Sequence, residues 1–85
     1  MAFRVIILKT AEKSLERLHS DVQRRVYQAL VSLEDNPRPS GIKALQGDHP
    51  GYRLRVGSYR SLYTVDDQKQ TVSVYKIGHR KDVYR

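Results

Sequence analysis

The stretch YRLRVGSYRSLYTV, residues 52–65, decides the fold because it has the pattern of two strands joined by a tight turn. Apolar or aromatic residues alternate with charged or polar ones on both sides of Gly57-Ser58, and a period of two is typical of a strand with one buried face. A two-residue turn of the Gly-X type predicts a hairpin in which Val56 lies opposite Tyr59 and Arg55 lies opposite Arg60. The stretch therefore predicts an antiparallel pair with a defined register.

This register sorts the side chains onto two faces, because successive residues of a strand point to opposite sides. One face is predicted to pack against helices and carries Tyr52, Leu54, Val56, Tyr59, Ser61, Tyr63 and Val65. The other face carries three guanidinium groups, those of Arg53, Arg55 and Arg60. A single arginine there would most simply cover the sheet with its stem. Three together, two of them directly opposite each other, favour an anion site, since like charges across a ladder are destabilising and guanidinium groups suit phosphate oxygens.

The elements around the hairpin complete an α+β pattern. A strand is predicted over residues 3–8, followed by a helix over residues 11–18 with Thr10 as its N-cap. Ser20 and Gln23 have the spacing of a capping box at the start of a second helix, which must end before Asn36-Pro37. A long connection covers residues 36–51, and a final strand covers residues 71–77, ended by Gly78. The predicted order is β-α-α-β-β-β, a single domain over residues 1–85 with a helical hairpin packed on one face of a mainly antiparallel sheet.

Composition narrows the function. Lys and Arg total 16 against 9 Asp and Glu, which gives a net charge of +7 on 85 residues. Residues 43–85 hold nine basic and four acidic side chains, so most of the excess lies in the predicted sheet. A small basic domain attracts polyanions, above all nucleic acid. The chain has no cysteine, which excludes disulfides, thiolate zinc sites and thiol catalysis.

Location and metal binding also follow from the sequence. The longest apolar run, Val5 to Leu8, is too short to span a membrane, and no signal peptide is visible, so we expect a cytoplasmic protein. His19 and His49 have no partners at metal-ligand spacing, so neither a metal nor a cofactor is expected. His79, Arg80 and Tyr84 follow the last predicted strand, where they would supply acid–base groups or form only a frayed basic tail.

Several of these segments together resemble the RelE toxins of toxin–antitoxin modules, within the RelE/ParE superfamily. The resemblance covers nearly the whole chain and rests on KALQG (43–47), YRLR (52–55), SYRSLY (58–63), IGHR (77–80) and the terminal Val83-Tyr84. It implies a RelE-like, microbial-RNase-like fold. It also implies an mRNA interferase that cleaves mRNA in the ribosomal A site without a metal, by attack of the RNA 2′-hydroxyl on the neighbouring phosphodiester.

The resemblance also implies roles for individual residues and for partners. Arg53 and Arg55 occupy two basic strand positions, Arg60 would stabilise the transition-state phosphate, Arg80 would act as the general acid, and Tyr84 would position or deprotonate the nucleophile. His79 is a second candidate for the base, because an unperturbed imidazole titrates at about pH 6.5 whereas an unperturbed phenol titrates at about pH 10. The implied partners are a RelB-like antitoxin, the rRNA of the ribosome and mRNA.

Two other functions fit the same fold. A ParE-like toxin inhibits DNA gyrase by protein contact and cleaves no RNA, but such a toxin has no need of the arginine cluster. A non-enzymatic RNA-binding domain would place exposed aromatic rings among its basic groups. Here most sheet tyrosines fall on the predicted core face, which disfavours this function.

Overall fold

A computed structural model describes residues 2–40, 42–47 and 49–84. It contains five strands, β1 (Arg4–Ile7), β2 (Lys43–Ala44), β3 (Tyr52–Val56), β4 (Tyr59–Asp66) and β5 (Thr71–His79). Two helices, α1 (Lys9–Glu16) and α2 (Ser20–Val31), lie between β1 and β2, and a short 3-10 helix, Ser32–Glu34, extends α2. The predicted α+β class and the order of its main elements are confirmed.

The strands form one sheet in the order β1-β5-β4-β3-β2. β1 pairs with β5 in parallel, and every other neighbouring pair is antiparallel. Among the described residues, no helix combines the length and the hydropathy that crossing a membrane requires.

The helices cover one face of the sheet because each has one apolar stripe. Ala11 and Leu15 of α1 are buried, as are Val26 and Leu30 of α2. They pack with Leu33 and with sheet residues from β4 and β5 in one cluster: Tyr63, Val72, Val74 and Ile77. Tyr52, Leu54, Val56, Tyr59 and Val65 are partly buried against this cluster, as the alternation predicted.

Both predicted helix caps are wrong. Helix α1 begins at Lys9, and no side chain caps it, because the chain passes directly from β1 into the helix. Thr10 lies inside the first turn, with its hydroxyl 3.5 Å from the carbonyl oxygen of Tyr75. At α2 the imidazole Nδ1 of His19 accepts from the Asp21 amide. Gln23 instead donates from Nε2 to the carbonyl oxygen of Leu15 at 3.0 Å, so it joins the two helices.

The connection over residues 36–51 contains a short strand, β2, that the sequence pattern did not predict. Side-chain hydrogen bonds at Pro37, Arg38 and Pro50 fasten it to the sheet. The Tyr63 hydroxyl donates to the carbonyl oxygen of Pro37 at 2.7 Å, and burial raises the pKa of Tyr63 to about 12. Arg38 donates to both carboxylate oxygens of Asp67, at 3.1 and 2.8 Å, and to the Tyr52 hydroxyl at 2.9 Å.

The last strand differs from the prediction in two ways. It continues past Ile77 to His79, and its pairing with β4 is irregular between Leu62 and Tyr63. Leu62 lies opposite Lys76 while Tyr63 lies opposite Val74, so Tyr75 is an extra residue in β5. The bulge changes which residues of β5 share a face with the arginines.

Candidate active site

The hairpin forms with the register that the sequence predicted. Val56 pairs with Tyr59 and Arg55 pairs with Arg60. Gly57 has a φ of 58°, the left-handed region that favours glycine at this turn. Arg53 pairs with Leu62, so Arg53, Arg55 and Arg60 lie on the face of the sheet opposite to the helices. We call this face the arginine face.

Arg60 is the most constrained of the three arginines. It is half-buried, and its Nη1 donates to the carbonyl oxygens of Gly57 and Tyr59, both at 3.1 Å. Burial lowers the pKa of Arg60, and the positive charges of Arg55, Arg53 and Arg80 lower it further. The guanidinium remains charged, since arginine is not deprotonated in proteins. Because part of this lowering comes from neighbouring positive charges, an anion bound among them would favour the charged form of Arg60.

The C-terminal segment folds back over the arginine face and is not a frayed tail. The amides of Asp82 and Val83 both donate to the carbonyl oxygen of His79, at 2.8 and 3.0 Å. Val83 is 1% exposed. A Cβ placed on Gly78, the neighbour of Arg60 across the sheet, would lie 3.7 Å from Val83. The segment is therefore anchored on the same face as Arg60, and we call it the C-terminal turn, residues 80–84.

The C-terminal turn delivers Tyr84 and Arg80 to the arginine cluster. Arg53 donates from Nη1 to the Tyr84 hydroxyl at 3.1 Å, and Tyr84 raises the pKa of Arg60, opposing the surrounding cations. The Arg80 amide donates to the carbonyl oxygen of Ser58 at 2.8 Å, which ties the turn to the hairpin. Five of the six predicted site residues therefore come together: Arg53, Arg55, Arg60, Arg80 and Tyr84.

His79 is the sixth, and the structure places it on the opposite face. It pairs with Tyr59, whose side chain belongs to the core face, and the two rings lie edge to face with centroids 5.5 Å apart. Its Nδ1 accepts from the Lys81 amide at 3.2 Å. The strand continues through Gly78 to His79, and this alternation turns His79 away from Arg60.

Two residues that the sequence patterns did not place in the site, His49 and Tyr75, lie beside Tyr84. The His49 ring meets the Tyr84 ring edge to face, with centroids 5.5 Å apart. The Tyr75 hydroxyl donates to the carbonyl oxygen of Pro50 at 2.7 Å, and the pKa of Tyr75 is raised by burial and then by the Tyr84 phenol. His49 lies in a turn-like segment without a motif, so no local pattern marks it. The only signal for Tyr75 is the broken alternation in VSVYKIG, residues 72–78.

The chain is similar to known proteins over almost its whole length. The family model described as the ParE toxin of the type II toxin–antitoxin system parDE matches residues 5–84. Toxin RelG of Mycobacterium tuberculosis is 33% identical over 87 residues, which cover 100% of this chain and 99% of RelG. The Escherichia coli protein named mRNA interferase toxin RelE is 31% identical over 83 residues, 95% of this chain and 86% of that protein.

The fold is also shared with a solved structure. A chain of the toxin–antitoxin complex RelBE2 from Mycobacterium tuberculosis superposes with a TM-score of 0.83 at 28% identity, covering 96% of this chain and 95% of that one. The two named relatives are RelE-type toxins, which confirms the resemblance seen in the motifs and does not favour the ParE-type function. This chain belongs to the RelE/ParE family of type II toxin–antitoxin toxins.

Proposed function

We propose that this protein is the toxin of a toxin–antitoxin pair and an mRNA interferase that cleaves mRNA in the ribosomal A site. The observation that carries the proposal is the convergence of Arg53, Arg55, Arg60 and Arg80 with the Tyr84 hydroxyl on one sheet face. The similarity to the Escherichia coli protein named mRNA interferase toxin RelE supports it.

The proposed reaction is a transesterification that uses the RNA's own 2′-hydroxyl. The 2′-oxygen forms a bond to the adjacent phosphorus, and the bond from phosphorus to the 5′-oxygen of the next nucleotide breaks. The 2′-hydroxyl loses its proton to a base, and the leaving 5′-oxygen gains a proton. The products are a 2′,3′-cyclic phosphate and a 5′-hydroxyl, so atoms and charge balance without a metal or a cofactor.

Arg60 and Arg55 are suited to the charge that develops on the phosphate. Arg60 is preorganised by its two bonds to backbone carbonyl oxygens, and Arg55 lies directly opposite it. Preorganised donors that face developing charge supply the largest part of the rate enhancement in many enzymes. We assign the nonbridging oxygens to this pair and the leaving 5′-oxygen to Arg80, which the C-terminal turn places nearby.

Tyr84 is assigned to the nucleophile in preference to His79. The Tyr84 hydroxyl accepts a hydrogen bond from Arg53 at 3.1 Å, which holds the phenol among the arginines of the cluster. His79 packs against Tyr59 on the other face, away from the phosphate that Arg60 would hold. The geometry thus favours Tyr84 as the group that orients or deprotonates the 2′-hydroxyl.

The partners follow from the same proposal. A protein with a net charge of +7 would dock on rRNA, whose phosphates attract it strongly. The solved toxin–antitoxin complex RelBE2 supports a RelB-like antitoxin as the inhibitor of this chain as well. An acidic or amphipathic antitoxin would neutralise the arginine face.

Primer extension on mRNA, with purified protein freed from antitoxin, tests the function. We expect cleavage with ribosomes present and none without them. The Arg60→Ala variant should cleave about a hundredfold to a thousandfold more slowly, the loss expected for one preorganised donor. Lys69→Ala, an exposed change in the turn before β5, is the matched loss of one positive charge and should cleave normally. Inhibition of gyrase without any RNA cleavage would contradict the proposal.

A further inference from the structure

A cavity opens beside the arginine face, at the edge of the sheet formed by β2 and β3. Its volume is about 440 Å³, within the size range of small-molecule sites. Its lining includes Ser40, Ile42, Lys43, Arg53, Leu54 and Arg55. Arg53 and Arg55 therefore belong both to this cavity and to the catalytic cluster.

The cavity exists because β2 is very short. Lys43 pairs with Arg53 and Ala44 with Tyr52, and the pairing ends there. Before Lys43 the chain turns away, with the Ile42 amide donating to the carbonyl oxygen of Pro39 at 3.1 Å. β3 runs on to Val56, so β2 leaves the edge of β3 uncovered from Leu54 onward. We call this opening the edge pocket.

The charge of the edge pocket is uniformly positive. Lys43 and Arg53 lie directly opposite each other and share a face, which repeats the unfavourable pairing of Arg55 with Arg60. Lys43 is exposed, and no carboxylate is among the described residues that line the pocket. Two successive like-charged pairs on one face favour a ligand that carries more than one negative group.

The rest of the pocket is suited to a nucleobase. Ile42 and Leu54 are half-buried and offer an apolar wall, while Ser40 offers a hydroxyl near the rim. A ligand with a flat, largely apolar ring attached to a phosphate matches this combination of an apolar wall with cations. A nucleotide supplies the anion and the planar ring in one unit, whereas an acidic peptide needs a separate aromatic residue to supply the ring.

We propose that the edge pocket binds one nucleotide of the message, with Lys43 on its phosphate and its base against Ile42 and Leu54. This inference rests on the proposed function, because it takes the bound polyanion to be the RNA that Arg60 helps to cleave. Neighbouring strands lie about 5 Å apart, so β2 and β4 are roughly 10 Å apart across β3. The pocket therefore lies a nucleotide or two along the chain from the scissile phosphate, and the message crosses the strands of the sheet.

Binding of a short RNA with 2′-O-methyl groups tests this inference, because such an RNA cannot be cleaved. Fluorescence anisotropy is measured for the full chain at several salt concentrations. Lys43→Ala should weaken binding and lower the slope of log affinity against log salt by about 0.7, the value for one phosphate contact on a single strand. Lys69→Ala removes the same charge from a remote turn and should leave both values unchanged.

The base contact is tested separately. The methyl resonances of Ile42 should shift when the oligonucleotide is added to the wild-type protein, and a phosphate backbone without bases should not shift them. The inference is overturned if Lys43→Ala binds like Lys69→Ala, if the wild type does not bind at low salt, or if only an acidic peptide shifts Ile42. RNA binding that depends on Lys43 without any cleavage on ribosomes would leave the pocket assigned and contradict the proposed function instead.

Discussion

At the scale of single residues, the three guanidinium groups of the arginine face differ in the contacts that they make. Arg60 is held by two carbonyl oxygens, Arg53 is turned toward the Tyr84 hydroxyl, and Arg55 is exposed. One residue type thus has three environments. These differences fit the proposed active site, in which Arg60 would stabilise negative charge, Arg53 would orient the Tyr84 phenol and Arg55 would bind the incoming phosphate.

Tyr84→Phe isolates the phenolic hydroxyl, because phenylalanine keeps the ring that packs on His49. We expect single-turnover cleavage on ribosomes to fall by about a hundredfold or more, the usual contribution of a positioned base.

His79→Ala is the control for this prediction, since His79 lies on the opposite face. Its cleavage rate should match that of the wild type. A loss confined to His79→Ala would make Tyr84 a packing residue and would return the base to the imidazole.

At the level of elements, the hairpin was predictable because its register depends on local chemistry. A glycine at the first turn position and strict alternation on either side determine which residues face each other. The same logic does not extend to β5, because the bulge at Tyr75 depends on pairing with β4 and is marked in the sequence only by the broken alternation of residues 72–78. The face shared by the three arginines was therefore predicted correctly, whereas His79 was placed after the last strand and in the structure lies within it, paired with Tyr59.

The contacts between loops were not predictable for a related reason. His49 and Tyr84 are far apart in the chain and meet only because β3 and the C-terminal turn are brought together by the sheet. No spacing in the sequence encodes such a contact. The predicted capping box was wrong for a similar reason, since the Gln23 side chain donates to the carbonyl oxygen of Leu15 in α1 instead of bonding within the first turn of α2.

The contact between His49 and Tyr84 leads to a prediction about the two loops. An edge-to-face ring pair is worth about 0.5–1.5 kcal/mol, which corresponds to roughly twofold to tenfold in a rate that depends on ring position. His49→Ala should lower the cleavage rate by that factor. His49→Phe should restore most of it, because the contact needs a ring and not an imidazole.

The rate at saturating ribosomes and the midpoint of thermal unfolding distinguish this role from general stabilisation. A positioning role predicts that His49→Ala changes the rate with little change in the midpoint. Equal losses in His49→Ala and His49→Phe would show that the imidazole itself takes part in the reaction.

For the whole molecule, the positive charges of the proposed active site lower the stability of the folded protein. The helices and the sheet share one apolar core. The arginine face carries two like-charged pairs, Lys43 with Arg53 and Arg55 with Arg60. No carboxylate is among the described residues that line the edge pocket beside these pairs. Each such pair costs a few tenths of a kcal/mol to about 1 kcal/mol. Under the proposed function the same charges would bind the phosphates of the message, and the bound anion would offset this cost.

Arg55→Ala should therefore stabilise the protein while weakening its function. Removing a repulsion of up to about 1 kcal/mol raises the unfolding midpoint of a domain of this size by up to roughly 4–8 °C at low salt. A polyanion such as tripolyphosphate should raise the wild-type midpoint by binding the folded state, and it should raise the Arg55→Ala midpoint less. Calorimetry at matched ionic strength measures both effects, with Lys69→Ala as the control for net charge. An Arg55→Ala protein that melts lower than the wild type without polyanion would show that the arginine stem contributes more by packing than its charge costs.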